Sequence, residues 1–169
     1  LWNAFTHFSM TEGLTPRDVS LVAAPLFHIG AFGIFTLPLV YLGGTSVILE
    51  SFNPATWIDC VEQHRPTLAF CVPAMWAAIA AAGLDGRQLS SLRYTISGGA
   101  PCPLVLIRQL REHGLVFTEG LGLTETAPVA SALGADEVIK HAGSVGKPIA
   151  HVEYRIVGDD GREVPTGEV

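Results

Sequence analysis

The sequence predicts an α/β fold: a mainly parallel sheet flanked by helices on both faces, with the start of a small antiparallel β subdomain at the C-terminal end. Three observations carry this reading. Apolar strand-like segments alternate with helical ones about four times before position 120, the signature of a parallel sheet covered by helices. Several of these segments are unbroken apolar runs, as strands buried on both faces are. His151 to Val157, by contrast, alternates strictly, with Val152, Tyr154 and Ile156 on one side and Glu153 and Arg155 on the other. The turn-forming Gly158-Asp159-Asp160-Gly161 follows it, so a hairpin is expected there. The division this implies is a central α/β subdomain over residues 1–148 and the truncated start of a β-rich subdomain over 149–169.

The elements follow in order. Trp2 to Gly13 reads as the end of a helix and Leu14 to Asp18 as a loop. Val19 to Ala24 is a buried strand. Gly30 to Leu42 is helical and stops at Gly43-Gly44, because glycine takes the left-handed conformation that closes helices. Thr45 to Leu49 is rich in β-branched residues and reads as a strand. Asn53-Pro54 starts a helix running to about His64, since Asn caps and Pro suits the first helical position. A strand is expected at Thr67 to Val72, then an alanine-rich helix from Pro73 to Gly83. Arg93 to Ser97 is a strand. Pro103 opens a helix that ends at Gly114, with Leu104, Ile107 and Leu110 as its apolar stripe. Val116 to Glu119 is a strand, and Ala135 to His141 forms one or two helical turns.

Composition removes several function classes. The 169 residues are 49% hydrophobic and only 15% charged, with a net charge of -6. No basic stripe offers the phosphate-neutralising charge that nucleic-acid binding needs. Three cysteines, Cys60, Cys71 and Cys102, lie far apart, which fits a reducing compartment and a cytoplasmic location better than a disulfide framework. The scattered histidines form no transition-metal spacing. Val19 to Leu49 and Pro66 to Leu84 carry no Asp, Glu, Lys or Arg, yet prolines and glycines divide each into a strand and a helix, so no transmembrane segment is expected. The sequence starts at Leu1 and stops just after Gly167-Glu168, and is expected to be a piece of a longer chain.

Chemistry is expected at the carboxyl ends of the strands, where open parallel sheets bind ligands. Two segments leave such ends with unusual composition: Ser97-Gly98-Gly99-Ala100-Pro101, and Gly120-Leu121-Gly122-Leu123-Thr124-Glu125-Thr126-Ala127-Pro128. Glycine pairs let a backbone approach a flat ligand. A hydroxyl beside a carboxylate, Thr124-Glu125, suits a phosphate with its Mg²⁺, which takes one or two carboxylates plus phosphate oxygens. Either segment alone could be an ordinary turn; two on neighbouring strand ends favour a site. Rival motifs fail on context. Gly120-Leu121-Gly122 departs from the dinucleotide fingerprint at Glu125, and Lys147 lacks the hydroxyl residue and helix of a phosphate loop. Ala142 to Gly146 lacks the strand–turn–helix setting of a hydrolase nucleophile elbow.

Those two segments, followed by Gly143-Ser144-Val145-Gly146-Lys147-Pro148, resemble successive signatures of the adenylate-forming superfamily, which includes acyl-CoA synthetases, firefly luciferase and adenylation domains of peptide synthetases. Pro25-Leu26-Phe27-His28-Ile29-Gly30 resembles the segment beside the acyl pocket of the acyl-CoA synthetases, of the bacterial fatty-acid or aryl type. The likeness is collinear over essentially the whole chain. It implies that Gly98, Gly99, Ala100 and Pro101 line one face of the adenine of ATP, and that Gly120, Leu121 and Gly122 lie against the other face or the ribose. Thr124 would bond the α-phosphate, Glu125 would hold Mg²⁺, and His28 would stand where acyl pocket and thiol tunnel meet, unless it is a hydrogen-bonded core histidine. Pocket walls are expected around His28 to Phe35 and Gly98. One departure is Leu121, where the family usually has an aromatic residue.

The resemblance implies an ATP-dependent carboxylic acid–CoA ligase working through an acyl-adenylate, with ATP, Mg²⁺, CoA and a small carboxylic acid as partners. A homodimer is compatible with it. The family's Ser/Thr/Gly-rich phosphate loop, its ribose-binding Asp and its catalytic Lys would lie outside these 169 residues, so this stretch alone is expected to be inactive. Two alternatives stand beside the ligase: an adenylation domain that loads a carrier protein, and a non-catalytic nucleotide-binding or scaffold relative.

Overall fold

The fold is described from a computed structural model, in which residues 2–4, 6 and 13–168 are described. Most of the helix end expected between Trp2 and Gly13 lies outside those residues. The elements are β1 (Val19–Val22), α1, β2 (Thr45–Ile48), α2 (Pro54–His64), β3 (Leu68–Cys71), α3 (Pro73–Ala81), β4 (Tyr94–Gly98), α4 (Leu104–Glu112), β5 (Phe117–Leu121), β6 (Ser131–Leu133) and β7 (Lys147–Pro148). Helix α1 is continuous but composite: an α turn at Ile29–Ala31, a π segment at Phe32–Thr36 and an α segment at Leu37–Leu42. Pro38 is the cause on the sequence side. It has no N–H, and its ring crowds the carbonyl four residues back. The turn before it widens, and the Thr36 hydroxyl donates to Ala31 O at 2.9 Å.

The sheet order is β2-β1-β3-β4-β5-β6-β7. The strands from β2 through β5 pair in parallel, and β6 and β7 add antiparallel pairs. Helices cover both faces, as expected. One face buries Trp57 of α2, Trp76 and Ile79 of α3, and Ile107 and Leu110 of α4. Trp57, Trp76 and Phe117 meet edge to face, with centroids 5.7 and 5.5 Å apart. The other face buries Ile34, Phe35 and Leu39 of α1 against Leu68 and Ile96. This distribution creates a topological switch point. The chain leaves β1 toward the α1 face and leaves β3 toward the opposite face, so a crevice opens between the C-terminal ends of those two strands.

The local signals work as read. Asn53 Oδ1 accepts from Thr56 N at 3.0 Å, and Gly43 closes α1 at φ 76°. Three expectations change. The buried stripe of α4 is Leu106, Ile107 and Leu110, with Leu104 only half-buried, because α4 presses its apolar edge toward α3 and β5. Ala135 to His141 is a string of turns rather than a helix. His151 to Val157 is not a regular strand: only Val157 bridges to Glu163, and Tyr154 and Ile156 are exposed. A strand needs a neighbour for its ladder, and the tail finds one only beside the Gly158–Gly161 turn, where Gly158 N donates to Arg162 O at 3.0 Å and Val164 N to Ile156 O at 3.2 Å.

At the N-terminal ends of the strands, opposite the crevice, Asp18 ties three of them together. Its carboxylate accepts from Arg93 at 2.8 and 2.9 Å, from the Thr67 hydroxyl at 2.7 Å and from Thr15 N at 2.8 Å. Burial pushes this carboxyl up, but those hydrogen bonds and the Arg93 charge outweigh it and hold the pKa down at about 2.

Candidate active site

The crevice at the switch point is a cavity of about 500 Å³. Its walls come from the Ala24–Gly30 turn after β1, from Phe70 of β3 with Val72 and Met75 beyond it, and from Ile96 and Gly98 of β4 with Gly99 after them. The Gly120–Glu125 segment, which begins at the end of β5, closes it. A second cavity of about 230 Å³ lies beside it, between Gly99-Ala100-Pro101 and Glu119 to Leu123, with Gly143 to Val145 as its third side. Gly99 and the Gly120–Leu123 ribbon line both. The alternation of strands explains the pairing. Ile96, Gly98 and Gly120 face the first cavity, whereas Glu119 faces the second.

The ribbon is held in place by close packing. A Cβ on Gly122 would lie 1.5 Å from Pro128 O, so only glycine lets the chain double back there. Thr124–Thr126 forms a 3₁₀ turn whose entry is fixed by Leu123 N donating to Thr126 Oγ1 at 2.8 Å. Ala127 follows in the left-handed region at φ 50°. Pro128 then rests on α1, where a Cβ on Gly33 would lie 2.7 Å from its ring. These contacts set the exposed Thr124 and Glu125 on the rim of the first cavity.

His28 caps α1: its Nδ1 accepts from Gly30 N at 3.3 Å. With Nδ1 accepting, Nε2 is the ring nitrogen left to donate. The side chain is exposed and lines the cavity mouth. Of the wall residues expected between His28 and Phe35, the structure keeps Ile29, Gly30 and Ile34. Phe35 turns into the core and Gly33 serves packing against Pro128. All ten residues proposed from sequence (Thr124, Glu125, His28, Gly98, Gly99, Ala100, Pro101, Gly120, Leu121 and Gly122) line one or both cavities.

Sequence reasoning missed Phe70, Val72 and Met75, which topology alone brings to the crevice. It also missed Glu119. This residue is 7% exposed; its Oε1 accepts from Cys102 N at 2.9 Å and its Oε2 is buried without a partner. Burial raises its pKa, and the Cys102 N–H offsets part of that. The Cys102 thiol is itself pushed up to about 11 by burial and by the Glu119 charge. A carboxylate inside a strand next to Gly-Leu-Gly was the available signal.

The profile of a family described as "AMP-binding enzyme" matches residues 1–169. The chain belongs to this family. Feruloyl-CoA synthase of an Amycolatopsis species is 40% identical over 99% of this chain and 34% of its own length. Indoleacetate–CoA ligase of Aromatoleum aromaticum is 36% identical over 98% of this chain and 32% of its own. Among solved members, O-succinylbenzoate Coenzyme A Synthetase from Bacillus subtilis, in complex with ATP and magnesium ion, superposes with a TM-score of 0.84 at 29% identity. That match covers 98% of this chain and 35% of the solved one. The chain thus spans about a third of the length of these family relatives. Its sheet is the family's mixed α/β sheet, and among the described residues no helix is long and apolar enough to cross a membrane.

Proposed function

We propose that this chain supplies the nucleotide and acyl pockets of an AMP-forming carboxylic acid–CoA ligase. The observation that carries the reading is the pair of cavities sharing Gly99 and the Gly120–Leu123 ribbon. A two-part substrate needs such a pair, one part on each side of the reacting atoms. In this reading the second cavity takes adenine between Gly99-Ala100-Pro101 and Gly120-Leu121-Gly122, and the unpaired Glu119 Oε2 is an acceptor for its amine. The first cavity takes the acid, and its carboxylate meets the α-phosphate beside Thr124.

The reaction joins two anions, so charge must be offset where they meet. The Thr124 hydroxyl donates to an α-phosphate oxygen. Mg²⁺ fits the donor set: Glu125 offers an exposed carboxylate beside Thr124 on the cavity rim, and an ion arriving with phosphates needs only a carboxylate or two. Glu125 would hold it, and the ion would supply charge neutralisation on the phosphates. The carboxylate oxygen then attacks phosphorus, the bond to pyrophosphate breaks, and an acyl-adenylate remains. His28, capping α1 at the cavity mouth, would present its Nε2–H where a thiol approaches the acyl carbon. The thiol gives its proton to solvent, its sulfur bonds to the acyl carbon, and the bond from that carbon to the phosphate oxygen breaks as AMP leaves. The acceptor is CoA in this reading, the activity named for the relatives, and free thiols at Cys60, Cys71 and Cys102 agree with a cytoplasmic setting.

Pyrophosphate release by the complete protein, with a panel of acids, ATP and Mg²⁺, tests this. Acid-dependent release followed by CoA-dependent thioester supports it. Thioester formation only on a carrier protein would replace CoA as acceptor, and no release with any acid would leave a non-catalytic relative.

A further inference from the structure

The first cavity has features that narrow its ligand. Among the described residues lining it there is no Lys or Arg, and the polar side chains, His28, Thr124 and Glu125, all belong to the mouth. Its base is hydrocarbon: Ile34, Ile96 and Val129 are 4%, 1% and 2% exposed and belong to the core behind. The Phe70 ring lies across the base between two glycines. A Cβ on Gly30 would sit 3.0 Å from one edge of that ring, and a Cβ on Gly98 would sit 3.4 Å from another. The glycines therefore leave the ring uncovered. On its β1 side the Phe70 ring also borders a small pocket of about 10 Å³ lined by Leu21, Ala31 and Phe35.

On the ligase reading above, we infer that the acid is a monocarboxylate carrying one compact, uncharged aromatic group, with Phe70 as the residue that sets its length and shape. A flat ring fits over an uncovered aromatic face and gains offset or edge contacts there. A second carboxylate would enter hydrocarbon where none of the described lining residues is a cation, and an unpaired buried charge is costly. A long alkyl chain would strike the Phe70 ring and, beside it, Ile34 and Ile96, which are close-packed and yield little.

The test measures acid-dependent pyrophosphate release by the complete protein with three acids: 3-phenylpropenoate, an aryl keto acid bearing a second carboxylate, and hexadecanoate. The expected kcat/KM is highest for phenylpropenoate and roughly a thousandfold lower for the dicarboxylate, the cost of an unpaired buried charge. Phe70→Ala, and Phe70→Leu as the milder change, are expected to raise the hexadecanoate-to-phenylpropenoate ratio at least tenfold, because they join the cavity to the small pocket beside the ring. A higher kcat/KM for the dicarboxylate or for hexadecanoate in the unaltered protein overturns the inference and leaves the ligase reading standing. So does an unchanged ratio in both folded variants. Absence of release with every acid overturns both.

Discussion

Single residues divide into those that hold the fold and those that face the cavities. Thr124 and Glu125 are exposed on a turn fixed by other groups. Thr124→Val and Glu125→Gln are therefore expected to leave the melting temperature within a degree or two, while lowering pyrophosphate release by the complete protein ~100-fold, the scale for losing one charge-stabilising donor. Leu121 lines both cavities but has no ring. Leu121→Tyr is expected to lower the KM for ATP a few-fold through stacking on the base. Glu119 behaves oppositely to a surface acid. Its pKa is raised, so ionisation costs stability, and stability is gained as pH falls through that pKa toward the ordinary glutamate value. Glu119→Gln keeps an acceptor for Cys102 N and removes the buried charge. A higher melting temperature at pH 7, with a flatter pH dependence above the ordinary glutamate range, is expected from thermal melts. Asp18 has the reverse sign. Its pKa of about 2 lies below the unfolded value, so its contribution, about 2 kcal/mol, is present above pH 4 and is lost as pH falls through 2.

Elements explain how those residues come together. Helix α1 does two jobs: its first turn carries His28 to the cavity mouth, and Gly33 seats the Thr124–Pro128 loop. Gly33→Val places carbon against the Pro128 ring and should shift that loop by a fraction of an ångström. The expected outcome is a 10- to 100-fold loss of kcat/KM, since small displacements are costly where geometry is reactive, with a melting temperature lowered by only a few degrees. The elements were also legible to different degrees. Strands β1, β3 and β4 and the helices flanking them announce themselves through apolar runs, Asn53-Pro54, Pro73 and the closing glycines. Strands β6 and β7 do not, because three residues of Ser-Ala-Leu and two of Lys-Pro show no period. They exist because β5 leaves an open edge that the returning chain can pair with. The tail fails for the complementary reason: Val152, Tyr154 and Ile156 alternate well, yet no sheet face among the described residues covers Tyr154 and Ile156.

At the scale of the whole molecule, function follows from where the sheet reverses its winding. The loops around Gly99 and Gly122 were readable from composition, because glycine, hydroxyl and carboxylate in that order have few other uses at strand ends. Phe70, Val72 and Met75 were not, since nothing local separates them from core; only the order β1-β3 puts them beside His28. The Asp18–Arg93 network lies at the opposite ends of the same strands, so stability and chemistry are spatially separated. Substitutions there, such as Arg93→Met, are expected to lower the melting temperature without changing the KM for ATP of the protein that remains folded. The measurement that reaches the central claim most directly is a crystal structure of the complete protein grown with AMP. The account predicts adenine density between Gly99-Ala100-Pro101 and Gly120-Leu121-Gly122, with Glu119 within hydrogen-bond reach of the base and the phosphate beside Thr124. Nucleotide bound elsewhere at full occupancy, or that gap filled by protein side chains, would contradict it.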